Sequence, residues 1–174
     1  MEIEVNDHYE FLVPVAQNKK FAVLRVLLWI VFVIGCFGAI FAALGIAVGL
    51  IFALVAVASG YGAYFCGKWV DIEYEYTLVE KELDVDVVFR KESRKHLETI
   101  DLLKMEIFAP EKSSALDMYR NRDVKVVDYS SRKPENEDKR YVLYYDGSTK
   151  YILEPEERLI KAFYNIAPRK VFDK

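Results

Sequence analysis

The chain has 174 residues, with 24 Lys+Arg against 27 Asp+Glu and a formal net charge of −3. The length allows one domain, or one small domain with an appendage, and the mild acidity excludes a nucleic-acid binder, which needs a concentrated basic surface. Residues 26–67 carry no charge at all, which excludes a wholly soluble protein.

The first twenty residues carry Glu2, Glu4, Asp7 and Glu10 rather than a basic leader, and the apolar run behind them is too long for a cleaved signal. Residues 1–20 therefore read as a cytosolic N-terminal segment to which the sequence assigns no role. The uncharged run that follows would extend roughly 63 Å as one helix, about twice the ~30 Å hydrocarbon core. Two helices folded back on each other fit instead, near Ala22–Ala42 and Ile46–Cys66, inside a transmembrane hairpin over 21–68. Ala43, Leu44 and Gly45 turn the chain, although no polar residue marks that turn; a single bent re-entrant segment is the competing reading.

Lys19, Lys20 and Arg25 flank the entry and Lys68 the exit, so the positive-inside rule places both termini in the cytoplasm of a multi-pass cell-membrane protein. Tyr61, Tyr64 and Trp69 suit an interfacial aromatic belt. Gly49, Ala53, Ala56, Gly60 and Ala63 form a seam on one face of the second helix, with Gly35, Ala39 and Ala42 on the first. In lipid, small residues let helix backbones approach; the seam packs the two helices together, or makes a homo-oligomer. The absence of Asp, Glu, Lys, Arg and His from the run leaves no ion pathway or proton relay. Cys36 and Cys66 both lie within it, so neither a disulfide framework nor a cysteine zinc site is expected.

From Asp71 the pattern becomes charged and alternating. Ile72–Leu78 and Leu83–Val87 read as a hairpin with a two-residue turn at Lys81-Glu82, Tyr76 facing Val87 and Leu78 facing Val85. Further strands are expected at about 95–101, Lys104–Ala109, Asp123–Tyr129, Lys139–Tyr145 and Thr149–Leu153, with Asp146-Gly147 turning the last pair. Ser130–Lys139 reads as a mobile polar loop. Pro155 opens a helix whose apolar face is Leu159, Ile160, Phe163 and Ile166, and Pro168 stops it. Six or seven antiparallel strands and one helix make a 71–174 domain with its own core, Phe163 buried within it.

Chemistry-bearing patterns are sparse. His8 and His96 have no ligand-spaced partners, no nucleophile or phosphate-loop motif occurs, and the reading assigns no catalytic residue, metal or cofactor. Glu73, Glu75, Asp84 and Asp86 share the outer face of the first hairpin, where a solvated polar face is the plain reading and a divalent-cation site the alternative. The turn Arg90-Lys91-Glu92-Ser93-Arg94-Lys95 carries four positive charges against one negative. If the first sheet stands upright on the membrane, Arg90, Lys91, Arg94 and Lys95 come back to anionic headgroups.

Two apolar helices, this strand order and the final helix P-E-E-R-L-I-K-A-F resemble the bacterial pleckstrin-homology-like membrane proteins, in particular a two-span family common in clostridia-type bacteria. The resemblance covers nearly the whole chain and rests on architecture. It implies an α+β fold, a transmembrane hairpin followed by an antiparallel, partly open β-barrel plugged by the terminal helix, and a binding or scaffolding role with an unidentified protein partner. It transfers no catalytic residues. The eukaryotic phosphoinositide cluster lies in the first hairpin loop, and here that loop is the net acidic Val79-Glu80-Lys81-Glu82. The alternative function is a sensor or enzyme with a small-molecule site at the barrel mouth.

Overall fold

A computed structural model describes residues 8–40 and 45–172, which fall into two compact units, 17–72 and 8–16 with 73–172. The first unit is the pair of helices α1 (Lys19–Ile40) and α2 (Ile46–Lys68). The side chain of Asn18 accepts from the Lys20 N–H at 3.1 Å, so α1 starts three residues before the expected Ala22, at a side-chain cap. Gly45, at φ 151°, precedes α2 in a backbone conformation open mainly to glycine. Ala43 and Leu44, the rest of the expected turn, lie outside the described residues.

The small-residue seam packs helix on helix within the chain. Ala56, Ser59, Ala63, Cys66 and Gly67 of α2 are buried, as is Gly35 of α1. A methyl group on Gly35 would lie 3.0 Å from the Ala56 Cβ, and one on Gly60 would lie 3.0 Å from the Phe32 ring. The buried Ser59 hydroxyl donates to the Ala56 carbonyl at 3.0 Å, which satisfies it inside its own helix. Val23, Leu27, Ile30, Ile34 and Phe37 on α1, and Leu50, Leu54 and Val57 on α2, point outward and are exposed. Both helices are long and apolar enough to cross a membrane.

The second unit consists of two four-stranded sheets. Sheet 1 has the order β1-β2-β3-β4, from β1 (His8–Pro14), β2 (Ile72–Val79), β3 (Glu82–Phe89) and β4 (Ser93–Asp101). β1 was not foreseen in the sequence. It pairs antiparallel with β2, His8 opposite Val79 and Pro14 opposite Glu73, so the helical unit is inserted between two neighbouring strands of one sheet. The β2–β3 turn falls on Glu80 and Lys81, Glu80 at φ 53°, one residue before the expected Lys81-Glu82. Moving a turn by one position moves each partner by two, so the predicted faces survive: Tyr74, Tyr76, Leu78, Leu83, Val85 and Val87 are all buried.

Sheet 2 has the order β5-β7-β8-β6, from β5 (Met105–Pro110), β6 (Lys125–Asp128), β7 (Tyr141–Tyr145) and β8 (Thr149–Leu153). The expected all-antiparallel arrangement is corrected here: β6 runs parallel to β8, Lys125 opposite Thr149. Residues 111–124 link β5 to β6 at the opposite edge, where β6 runs in the same direction as β5, and so cross over the outer face of the sheet. Leu116 of this crossover is buried with Ile107, Ala109, Val142 and Tyr144, and Ala115, Tyr119 and Val124 pack around them. Sheet 2 is thus covered on both faces.

Its other face meets α3 (Glu157–Ile166), whose Leu159 and Phe163 are fully buried, the Phe163 ring 4.8 Å from that of Phe108. Ile160 and Ile166, also assigned to the apolar face, are half-buried at its margins. The segment read as a mobile polar loop is anchored instead. Ser130 and Ser131 are fully buried, Glu154 accepts from the Ser131 N–H at 3.0 Å and from Asn136 at 2.7 Å, and residues 134–139 coil into a 3₁₀ turn. The sheets leave no closed barrel, in keeping with the partly open one expected.

Candidate functional site

Strand length positions the basic turn. β3 ends at Phe89 and β4 begins at Ser93, so Arg90, Lys91 and Glu92 form the connection, with Arg90 and Lys91 at φ 50° and 60°. Successive left-handed residues match the twist of a tight hairpin, although neither is the glycine or asparagine that adopts them most easily. Antiparallel pairing puts this turn at the end of sheet 1 where Pro14 meets Glu73, which is where the chain leaves for α1 and returns from α2. Lys91, Arg94 and Lys95 are exposed and Arg90 is half-buried. The structure therefore places Arg90 and Lys91 in the turn and Arg94 and Lys95 at the start of β4, paired with Val88 and Val87. It also engages one of them, because Arg94 donates to Glu75 Oε1 at 2.7 Å.

Glu75 departs from the expected solvated carboxylate face. It is only 3% exposed, and its Oε2 has no hydrogen-bond partner. Burial raises its pKa, Arg94 opposes that rise, and the charges of Glu10 and Asp86 add to it. Asp84 and Asp86 are engaged as well. Asp86 lies 2.8 Å from His96 Nδ1, and the Thr99 hydroxyl donates to Asp84 while lying 3.3 Å from His96 Nε2. Among the described residues, no set of three His, Cys, Asp or Glu side chains is arranged to hold a metal ion.

A second polar node was missed in the sequence. Glu98 of β4 accepts from the hydroxyls of Tyr129 at 3.0 Å and Tyr151 at 2.6 Å, and so ties sheet 1 to sheet 2. Burial raises the pKa of both tyrosines, and the Glu98 carboxylate raises them further. The cause is a bulge: Val85 pairs with Glu98 but Asp86 pairs with His96, which leaves Leu97 as the extra residue. Before the bulge Arg94 and His96 face outward; after it Glu98 and Ile100 face inward. Nearby, the Tyr76 hydroxyl donates to the Tyr129 carbonyl at 2.8 Å and accepts from the Glu154 N–H at 3.2 Å. The space between the sheets is filled by side chains such as Tyr76, Phe108, Leu143, Tyr151, Leu153 and Phe163.

Residues 6–173 match the family model described as Bacterial PH-like domain (DUF6106). The chain belongs to that family. No curated protein and no solved structure matches it. As a PH-like domain it has a terminal helix that plugs a two-sheet core, and the open surfaces flank that helix. One depression of about 210 Å³ is lined by Ile160, Lys161, Tyr164, Asn165 and Val171. Another of about 330 Å³ lies against Leu102, Leu103, Ile166, Pro168 and Lys170.

Proposed function

We propose that the chain is a membrane-anchored binding module, in which α1 and α2 span the cell membrane and hold the PH-like domain on its cytoplasmic side, both termini in the cytoplasm. The observation that carries this reading is the insertion of the helices between the paired strands β1 and β2. Only residues 15–18 and 69–71 separate the sheet from the helices, and Gln17 donates to Asp71 at 2.8 Å across these two connections. The large outward side chains of both helices are costly in water and suited to acyl chains. Lys19, Lys20, Arg25 and Lys68 flank the hairpin on what is then the cytoplasmic side.

The basic turn is the element that faces anionic headgroups. With Arg94 held at Glu75, contact falls chiefly to Arg90, Lys91 and Lys95, each attracted by about 1 kcal/mol before salt screening. The protein partner implied by a binding module is a separate question from this lipid contact.

Two experiments on the full chain test the reading. With Cys36 and Cys66 replaced by alanine, single cysteines at positions 10 and 150 are expected to resist an impermeant reagent in intact cells and to react after lysis. Reaction of either in intact cells refutes the topology. A nitroxide at position 92, in proteoliposomes of neutral or partly anionic lipid, reports headgroup contact. Immobilisation only with anionic lipid, lost when Arg90, Lys91 and Lys95 become Gln, is expected; identical spectra in both lipids refute it.

A further inference from the structure

We infer that Arg25, Trp29, Tyr64 and Lys68 form a site for one anionic phospholipid on a single flank of the helical hairpin, with Arg25 and Lys68 on its phosphate. The inference rests on the membrane reading above and adds to it a lipid class and a place. Arg25 and Lys68 stand at the two ends of the uncharged run 26–67, and helix packing brings those ends together. The Arg25 guanidinium lies over Gly67, where an added methyl would be 3.5 Å from Cζ and Nε. The missing side chain thus makes a seat for the guanidinium, and Arg25 stands beside Lys68 to within one residue's rise, about 1.5 Å.

Contacts deeper in the hairpin fix the flank. Trp29, one turn deeper than Arg25 on α1, meets Phe32 edge-on with ring centroids 5.3 Å apart. The Phe32 ring lies over Gly60, and Tyr64 and Lys68 follow Gly60 at one and two turns on the same stripe of α2. Trp29 and Tyr64 are exposed there, while Arg25 and Lys68 are half-buried. The Lys68 ammonium sits over the Tyr64 ring, 5.4 Å from its centre. Among the described residues, no carboxylate pairs with either cation. Two like charges, partly desolvated at the edge of the hydrocarbon, therefore lack a counter-charge within the hairpin. A lipid phosphate supplies it, bidentate to the guanidinium and as a point charge to the ammonium. A zwitterionic headgroup would bring its own cation to a site that already holds two, so the site selects a net negative one.

The test uses the full chain with Trp69→Phe, which leaves Trp29 as its one tryptophan. It is placed in mixed phosphatidylcholine and phosphatidylglycerol vesicles, with one lipid or the other carrying brominated acyl chains that quench a tryptophan they touch. Brominated phosphatidylglycerol is expected to quench Trp29 as if enriched about fivefold or more over its mole fraction. Arg25→Gln with Lys68→Gln should remove that preference, and Gln at Arg90, Lys91 and Lys95 should leave it. Equal quenching by the two lipids overturns the site and leaves the membrane reading standing; it is the result expected if Arg25 only caps the carbonyl end of α2. A preference that survives the double substitution, or that vanishes with the basic turn, also overturns the site. Quenching by neither lipid overturns the membrane reading and the site with it. If the double variant loses its helical circular-dichroism spectrum, Lys68→Gln alone decides. The preference should then fall at least twofold, and an unchanged preference overturns the proposal.

Discussion

Sheet 1 and sheet 2 have the same number of strands and opposite surroundings. The outer face of sheet 1 carries Thr77, Asp84, Asp86, Arg94, His96 and Thr99, with Glu75 buried among them beside Arg94, and β3 alternates between this polar side and a buried apolar one. Sheet 2 has the crossover 111–124 on one face and α3 on the other, so Ile107-Phe108-Ala109 and Val142-Leu143-Tyr144 are buried at consecutive positions. The difference lies in what covers the second face. An uncovered sheet needs polar residues at every other position, whereas a covered one accepts a continuous apolar run.

This contrast can be broken most severely at the faces of sheet 2. Phe163→Ala is expected to cost about 3–5 kcal/mol in denaturant unfolding, because it empties the space against Phe108 on the inner face. Leu116→Ala on the outer face is expected to cost about 2–5 kcal/mol. Thr77→Ala, on the open face of sheet 1, should stay within about 0.5 kcal/mol. If Leu116→Ala proves as mild as Thr77→Ala, the crossover does not act as a core layer and the two sheets are alike.

A smaller effect sharpens the comparison through pH. Glu75 of sheet 1 has its pKa raised by burial, so the folded state binds its proton more readily than the unfolded chain does. Its contribution to stability is greatest below the unfolded value of 4.5 and is lost as pH rises through the folded value. Glu106 of sheet 2 is the reverse. Arg122 at 2.7 Å lowers its pKa, and the Gly147 N–H donates to it at 2.6 Å. Its contribution is present above 4.5 and lost as pH falls through the lowered value. Glu75→Gln should therefore remove a component of stability that declines with rising pH, and Glu106→Gln one that declines with falling pH. Unfolding midpoints of both variants across pH 3–7, compared with the unmodified protein, check the two signs. The smallest effect is expected at the exposed Asp86–His96 pair, where Asp86→Asn should change stability by about 0–1 kcal/mol.

The same contrast explains what could be read in advance. Leu83-Asp84-Val85-Asp86-Val87 announces its faces by alternation, and Asp146-Gly147 takes the two positive φ angles, 48° and 65°, that a tight hairpin requires. Pro155 and Pro168 bracket α3 through proline's fixed φ and missing N–H. The basic turn was legible because four cations stand close together in sequence, while the engagement of Arg94 by Glu75 joins residues nineteen apart. Glu98 was not legible at all. Its inward direction depends on the bulge at Leu97, and one extra residue reverses every side chain beyond it without changing the local composition.

The sequence by itself determined the two apolar helices, because an uncharged run of 42 residues is about twice the length of one such helix and breaks at Gly45. It also determined the small-residue seam between them and the alternating strands of sheet 1. Tertiary structure alone decided that residues 8–14 pair with β2 across the whole helical insertion, and that β6 lies parallel to β8. It also seated residues 170–172 on the edge of β5. Strand pairing is made by backbone groups that every residue carries, so partners distant in sequence leave little trace in side-chain identity; helix burial and face polarity are written in the side chains themselves.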